Sequence, residues 1–251
     1  MRINEFTAVS TSRVLLVPYE ARHVLTYHAW MEDPAIQEAT ASERLTLEEE
    51  YENQQSWRTA HDKLTFIVCH PLSSTPLIFS EKGSLSVLAG EVDSPDRMVG
   101  DINFFLYPYD SDGSDNSTDD DGLCGEVDIM IANPNDRGKG VGRAAALAFL
   151  HYIFSHLPLI LNEYHTPNDH QKENIRPDSK GGSRLKQLMV KIKADNTHSI
   201  NLFKSLGFQQ DGEVNYFGEV KLTLTEFDAF REENVVPEGY VELVYQQQPP
   251  N

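Results

Sequence analysis

Cysteine is nearly absent from this chain: Cys69 and Cys124 are the two among 251 residues, too few for a disulfide framework or a thiolate zinc site, and they read as reduced thiols. Positive charge is scarce too. Against 39 Asp and Glu stand 21 Lys and Arg, a formal net charge of −18, so the basic footprint that nucleic acid requires is missing and no nucleic-acid partner is expected. No stretch approaches the roughly 20 apolar residues of a membrane span. The opening Met1-Arg2-Ile3-Asn4 is interrupted by Glu5 and Thr7 before a signal-peptide core can form. The expectation is a cytoplasmic protein with no membrane partner. Of nine histidines, His165 and His170 are the local pair, and their spacing in a polar segment suits no rigid site, so no metal is expected.

Part of the negative charge is local. Asp110 to Asp121 holds six aspartates and no basic residue. Such a segment cannot bury apolar surface and reads as a solvated loop. Asp110, Asp112 and Asp115 suggest a calcium loop, but Ser114 and Asp115 stand where that pattern needs a ligand and the glycine. Asn116-Ser117-Thr118 is a glycosylation sequon by letters alone.

The informative feature is Arg137-Gly138-Lys139-Gly140-Val141-Gly142, between the apolar run Val127, Ile129, Met130, Ile131 and a helix-like run from Arg143. This is a strand, a glycine-rich turn and a helix start. Without Cβ atoms, successive backbone N–H groups can converge on an anion at the positive end of a helix. Spacing narrows the choice. A nucleotide P-loop needs Lys followed by Ser or Thr, but Lys139 precedes Gly140, and the dinucleotide pattern G-x-G-x-x-G has its third glycine one residue too early here. What fits is [QR]-x-x-G-x-[GA], filled by Arg137, Gly140 and Gly142. It resembles the pyrophosphate-binding motif of the GNAT acetyltransferases, which bind acetyl-CoA. A second signature of that family, N-x-x-[AS]-x-x-x-[YF]-x-x-x-G-F, is matched in full by Asn196, Ser199, Phe203, Gly207 and Phe208.

The order of elements agrees. Arg13 to Val17 reads as a strand ended by Pro18, and Ala21 to Trp30 as a helix. A second helix opens at Thr46, with Glu49 in capping-box position. Strands are predicted at Leu64 to Cys69, Met98 to Tyr107 and Glu126 to Ile131, a helix at Arg143 to His156, then strands at Leu188 to Ile192, Val214 to Tyr216 and Glu219 to Leu224. The resemblance implies an α/β GNAT fold over residues 11–225: a mixed, mostly antiparallel seven-stranded sheet flanked by helices, with polar insertions near 72–95, 108–122 and 158–184. Residues 226–251 read as a C-terminal extension with a disordered tail from Gln246. Val14 to Tyr19, Leu45 to Tyr51, Thr65 to Val68, Met98 to Asn103 and Gly125 to Ala132 are similar to the N-acetyltransferase 9-like subfamily.

That resemblance implies roles. The backbone of Ile129, Met130 and Ile131 would pair with the pantetheine arm of acetyl-CoA, and the amides of Arg137, Gly138, Lys139, Gly140, Val141 and Gly142 would hold its pyrophosphate. The side chains of Arg137 and Lys139 either add charge there or are solvated cations. Asn196 would orient the cofactor arm, or cap a helix. Phe203 stands where many relatives carry a tyrosine that protonates the leaving thiolate, and it has no proton to give. Tyr216 is one substitute; water, or direct release of the thiolate, is another. Glu126 and Asp128 share one face of their strand by alternation. Glu126 is the first candidate for general base and Asp128 the second, the alternative being a solvated strand end or a partner for Arg97.

The expected activity is acetyl-CoA-dependent N-acetylation of a protein N-terminus, with tubulin an acceptor by subfamily resemblance. A polyamine or other small amine is the alternative acceptor, since acidic groups attract it too. A catalytically weak GNAT-fold module that binds microtubules or another protein is consistent with Phe203; tubulin is itself acidic, so such a contact needs a localised patch.

Overall fold

In the computed structural model, residues 1–72, 78–79, 85–109, 122–166, 184–233 and 236–247 are described. Eleven strands run in chain order: β1 (Thr7–Ser10), β2 (Leu15–Pro18), β3 (Lys63–Cys69), β4 (Ile78–Phe79), β5 (Leu85–Leu88), β6 (Met98–Pro108), β7 (Gly122–Ile131), β8 (Arg184–Lys193), β9 (Gln209–Gln210), β10 (Glu219–Leu224) and β11 (Val241–Gln246). The helices are α1 (Val24–Met31), α2 (Pro34–Thr40), α3 (Leu47–Thr59), α4 (Val141–His165), α5 (Thr197–Lys204) and α6 (Phe227–Glu233). The strands form one sheet in the order β4-β5-β11-β1-β2-β3-β6-β7-β8-β10-β9. Two pairs are parallel, β5 with β11 and β7 with β8; the others are antiparallel.

Both faces of the sheet are covered, so its central strands are apolar on both sides rather than alternating. One face carries Leu16, Phe66, Phe104 and Val127 against Phe149, Tyr152 and Ile153 of α4. The other carries Leu15, Val17, Ile67 and Tyr245 against Val24 of α1. Thr46 and Glu49 form the expected capping box at α3: the Glu49 amide donates to Thr46 Oγ1 at 3.3 Å, and the Thr46 amide to Glu49 Oε2 at 2.8 Å.

Several expectations need correction. Helix α4 does not stop at His156 but continues through Pro158 to His165. Proline cannot donate to the carbonyl four residues earlier, that of Phe154. Arg231 of α6 donates to that carbonyl at 3.3 Å, and its guanidinium lies 4.9 Å from the Phe154 ring centroid, so the freed acceptor is satisfied by tertiary packing. At this length α4 is apolar and long enough to cross a membrane by length and composition, contrary to the expectation that no stretch approaches it, and half of the stretch is buried inside the fold.

The sheet has eleven strands rather than seven. The extra edge is made by β1, by the β4–β5 pair inside the 72–95 insertion and by β11 beyond residue 225. In β11, Leu243 and Tyr245 are buried, and the strand inserts between β1 and β5, so residues 226–251 are not merely an extension with a tail. Inside this edge Asp93 receives the Nε2–H of His23 at 2.7 Å and the Tyr245 hydroxyl, both buried, with the Gly90 amide on its other oxygen at 2.6 Å. Burial pushes the Asp93 carboxyl up, but the bonds from His23, Tyr245 and Gly90 outweigh it and hold the group below its ordinary value. Residues 214–216 form no strand; the chain turns there, as described below. The acidic segment 110–121, residues 167–183 of the third insertion, His170 and the last four residues lie outside the described residues.

Candidate active site

Strands β7 and β8 run parallel and pair from Gly122↔Arg184 to Glu126↔Met189. There they part. Strand β7 goes on to Ile131 paired to β6 alone, and β8 goes on to Lys193 paired to β10 alone. From residue 127 on, the β7 edge that faces β8 therefore carries backbone donors and acceptors joined to no strand among the described residues. An open edge of this kind is a ready template for an added strand. The opening is a cleft lined on one side by Val127 to Met130 and on the other by Val190 to Lys193, with Asn196, Ser199 and Phe203 of the α5 region also lining it.

The glycine turn stands at the end of β7. Gly138 and Gly140 have φ of +71° and +81°, left-handed values that favour glycine, and Gly140 is the N-cap of α4. A Cβ on Gly142 would come within 3.3 Å of Leu202 Cδ1, so glycine there lets α4 begin against α5. The Ala144 amide bonds to the Gly140 carbonyl at 3.0 Å, and the amides of Val141, Gly142 and Arg143 before it have no intrahelical acceptor. No acidic residue occupies this first turn. These are the properties of an anion site. Two arginines brace it. Arg137 donates to the carbonyls of Ile131 at 2.7 Å and Ala132 at 3.1 Å, which ties the turn to β7 and spends its guanidinium on backbone. Arg13, from the β1–β2 connection, donates to the Lys139 carbonyl at 2.6 Å. Sequence reasoning missed Arg13 because nothing local links it to a turn so far along the chain.

Carboxylates line the cleft as well. Glu126 and Asp128 do share a face, and both border the cleft with Tyr27 of α1, residues 39–42 at the end of α2, Trp57 of α3, and Asp101, Asn103 and Phe105 of β6. Glu126 Oε2 is engaged twice, by the Tyr107 hydroxyl at 2.8 Å and by Lys191 Nζ at 3.0 Å. Arg97 is not its partner; that guanidinium binds the carbonyls of Val92, His70 and Pro71, each at 2.9 Å. Asp128 is exposed along the cleft, with neighbouring protein crowding its carboxyl. Burial, then the charge of Glu126, raise its carboxyl to about 6 in spite of Lys191. Asp101 is fully enclosed, and burial drives it to about 7, against the donors Asn103 Nδ2, at 2.7 Å, and Tyr27. The signal for Asp101 and Asn103 was present in the sequence as two polar residues at alternate positions of an otherwise apolar strand.

The remaining candidates divide. Asn196 caps α5, accepting from the Ser199 amide at 3.2 Å, and also lines the cleft. Phe203 is buried against the cleft, edge-on to Phe208 with ring centroids 5.2 Å apart. Tyr216 is corrected: it is 98% exposed on the turn before β10, where Phe217 is 70% exposed, and it does not line the cleft. The turn is anchored beside the cleft by Lys193 Nζ, which donates to the Phe217 carbonyl at 2.9 Å.

Residues 13–209 match the model of the acetyltransferase (GNAT) domain. The chain belongs to the GNAT acetyltransferase family. Within that family it is 34% identical to an N-acetyltransferase 9-like protein of Caenorhabditis elegans, over 96% of this chain and 100% of that one. It is 39% identical to the alpha/beta-tubulin-N-acetyltransferase 9 of Drosophila melanogaster over 88% of each chain. With the human protein of the same name it shares 37% over 90% of this chain and 86% of that one. The GNAT fold recurs in a Vibrio cholerae spermidine N-acetyltransferase solved with CoA and spermine, at TM-score 0.53 and 14% identity, covering 86% of this chain and 97% of that one. It recurs too in an aminoglycoside acetyltransferase solved with coenzyme A, at TM-score 0.53 and 16% identity, covering 90% and 99%.

Proposed function

We propose that this GNAT acetyltransferase uses acetyl-CoA to acetylate the α-amine of a protein N-terminus, and that it does so in the cytoplasm. The observation that carries the reading is the open β7 edge leading to the N-terminal amides of α4. An extended amide-bearing arm can complete the edge as an added strand, and a pyrophosphate can take the amides of the 137–142 turn. When bound there, acetyl-CoA supplies an activated acyl group. The residues Ile129, Met130 and Ile131 offer the strand edge, Asn196 borders the same opening, and Gly138, Gly140 and Gly142 supply the turn.

The acceptor half supports an amine that arrives charged. Its ammonium proton passes to Asp128, for which Glu126, held by Tyr107 and Lys191, is less available. The freed lone pair then forms the C–N bond as the C–S bond breaks, with the electron pair leaving on sulfur. Of the two protons left on nitrogen, one stays on the amide and one balances the thiolate. An α-amine of pKa about 8 lies about two units above Asp128, whereas a lysine near 10.4 lies more than four above, which favours the N-terminus. The exposed Tyr216 and Phe217 beside the cleft support a macromolecular acceptor over a free polyamine. The names of the fly and human relatives make tubulin the favoured protein, and an uncharged aromatic contact suits two acidic partners.

The test is acetyl transfer to one peptide offered with a free N-terminus, then with that end blocked and one lysine added, with spermidine as the third acceptor. Transfer to the free N-terminus supports the reading. Transfer confined to spermidine favours the small-amine alternative, and binding of acetyl-CoA without any transfer favours a binding module.

A further inference from the structure

Strand β6 carries Asp101 and Asn103 into the face covered by α1 and α3, 2% and 5% exposed. The Asn103 amide has a fixed direction. Its Nδ2 donates to Asp101 Oδ2 at 2.7 Å, so Asn103 Oδ1 is the amide atom turned away from that carboxylate. That oxygen is buried and has no hydrogen-bond partner among the described residues. An unpaired buried amide oxygen costs about 1–3 kcal/mol, a cost that an apolar side chain of similar shape avoids. The position explains the choice. Asn103 is the cross-strand partner of Asp128, and both line the cleft.

We propose that Asn103 is a specificity-determining residue whose Oδ1 receives an N–H of the acceptor's primary amine, and that Asp101 is the positioning residue that aims it. The proposal rests on the reading of this cleft as an N-acetyltransferase site. A primary amine that has passed its ammonium proton to Asp128 keeps two N–H groups and a lone pair. One N–H can satisfy Asn103 while the lone pair stays free. An N-methyl amine keeps a single N–H and must place its methyl group beside a polar wall.

The test uses the full chain and a pool of hexapeptides with either a primary or an N-methylated α-amine. Calorimetry with acetyl-CoA first confirms that each variant is folded and competent for cofactor. The wild type is expected to favour the primary amine by about 10-fold or more in kcat/KM. Asn103→Leu should raise KM for the primary amine by about 10-fold, leave acetyl-CoA affinity unchanged, and shrink the preference to under about 2-fold. Asp101→Asn, nearly isosteric, should move the preference in the same direction and decides the matter if Asn103→Leu does not bind acetyl-CoA. Unchanged KM and unchanged preference in a competent variant overturn the proposal. Should the wild type acetylate no amine, the acetyltransferase reading fails, but the subsite is still decided by titrating the primary-amine pool into the CoA-loaded protein. Weaker binding to Asn103→Leu supports the subsite; equal binding to both proteins, or none to either, overturns it.

Discussion

Replacing Asp128 with asparagine separates the two carboxylates of the cleft. With its carboxyl near 6, Asp128 is ionised in roughly nine molecules of ten at pH 7 and in about half at pH 6. An ordinary aspartate near 3.9 would lie about four units below an α-amine of about 8; the raised value closes about two of those units, an advantage that solvent at the exposed Asp128 reduces. The sign follows directly. As pH falls through about 6, Asp128 takes up a proton and can no longer accept one, so kcat/KM should decline on the acid side with that midpoint. Asp128→Asn should lower turnover by about 100-fold or more at pH 7 and abolish the acid limb, with acetyl-CoA affinity unchanged. Glu126→Gln should behave differently. Removing that charge takes away one of the causes that raise Asp128 and frees Lys191, so the limb should persist and move to lower pH. The assay is the initial rate of thiol release on an N-terminal peptide between pH 5 and 9. A limb near pH 6 that survives in Asp128→Asn, together with loss of turnover in Glu126→Gln, would refute the assignment and restore Glu126 as the base.

Other expectations concern the cofactor turn and the sheet. Gly140→Val places a β-branched residue at φ +81° with its Cβ 3.3 Å from Arg13 Nη2, so acetyl-CoA affinity measured by calorimetry should fall about 10- to 100-fold with the circular dichroism spectrum retained. Asp101→Asn should stabilise the protein at alkaline pH. The folded-state carboxyl, near 7, lies above the unfolded value, so the native state binds the extra proton and wild-type stability falls as pH rises from about 4 to 7. The mutant lacks that slope, and its gain in thermal midpoint should be larger at pH 8 than at pH 5; an equal gain at both would show that Asp101 titrates normally. Truncation after residue 225 removes Leu243 and Tyr245 from the core, each worth ~2–5 kcal/mol, against a typical total stability of ~5–15 kcal/mol. The shortened chain should be insoluble or melt far below the full one, and an unchanged melting curve would make β11 dispensable.

The parts of this fold that announce themselves in sequence are those set by local chemistry. The Thr46–Glu49 box, the glycine turn and the motif from Asn196 to Phe208 each need particular residues at fixed spacing, whatever they pack against. Long-range satisfaction misled the reading elsewhere. Pro158 is a sound stop signal until Arg231 reaches the Phe154 carbonyl. The run Val241 to Gln246 reads as part of an extension outside the domain until β1 and β5 supply its two edges. The strand expected at Val214 to Tyr216 left the direction of the Tyr216 ring undefined, and a turn stands there instead. For the carboxylates, period two put Glu126 and Asp128 together correctly, but the partners that divide them, Tyr107 and Lys191, come from the strands on either side of β7 and left no trace near residue 126.

The central claim is that this cleft moves an acetyl group onto an N-terminal amine. The direct measurement is mass spectrometry of a peptide bearing both a free α-amine and one internal lysine, after incubation with the protein and acetyl-CoA. The account predicts a single acetyl group on the α-amine. Acetylation of the lysine alone, or bound acetyl-CoA with an unmodified peptide and an acetylated polyamine, would contradict it.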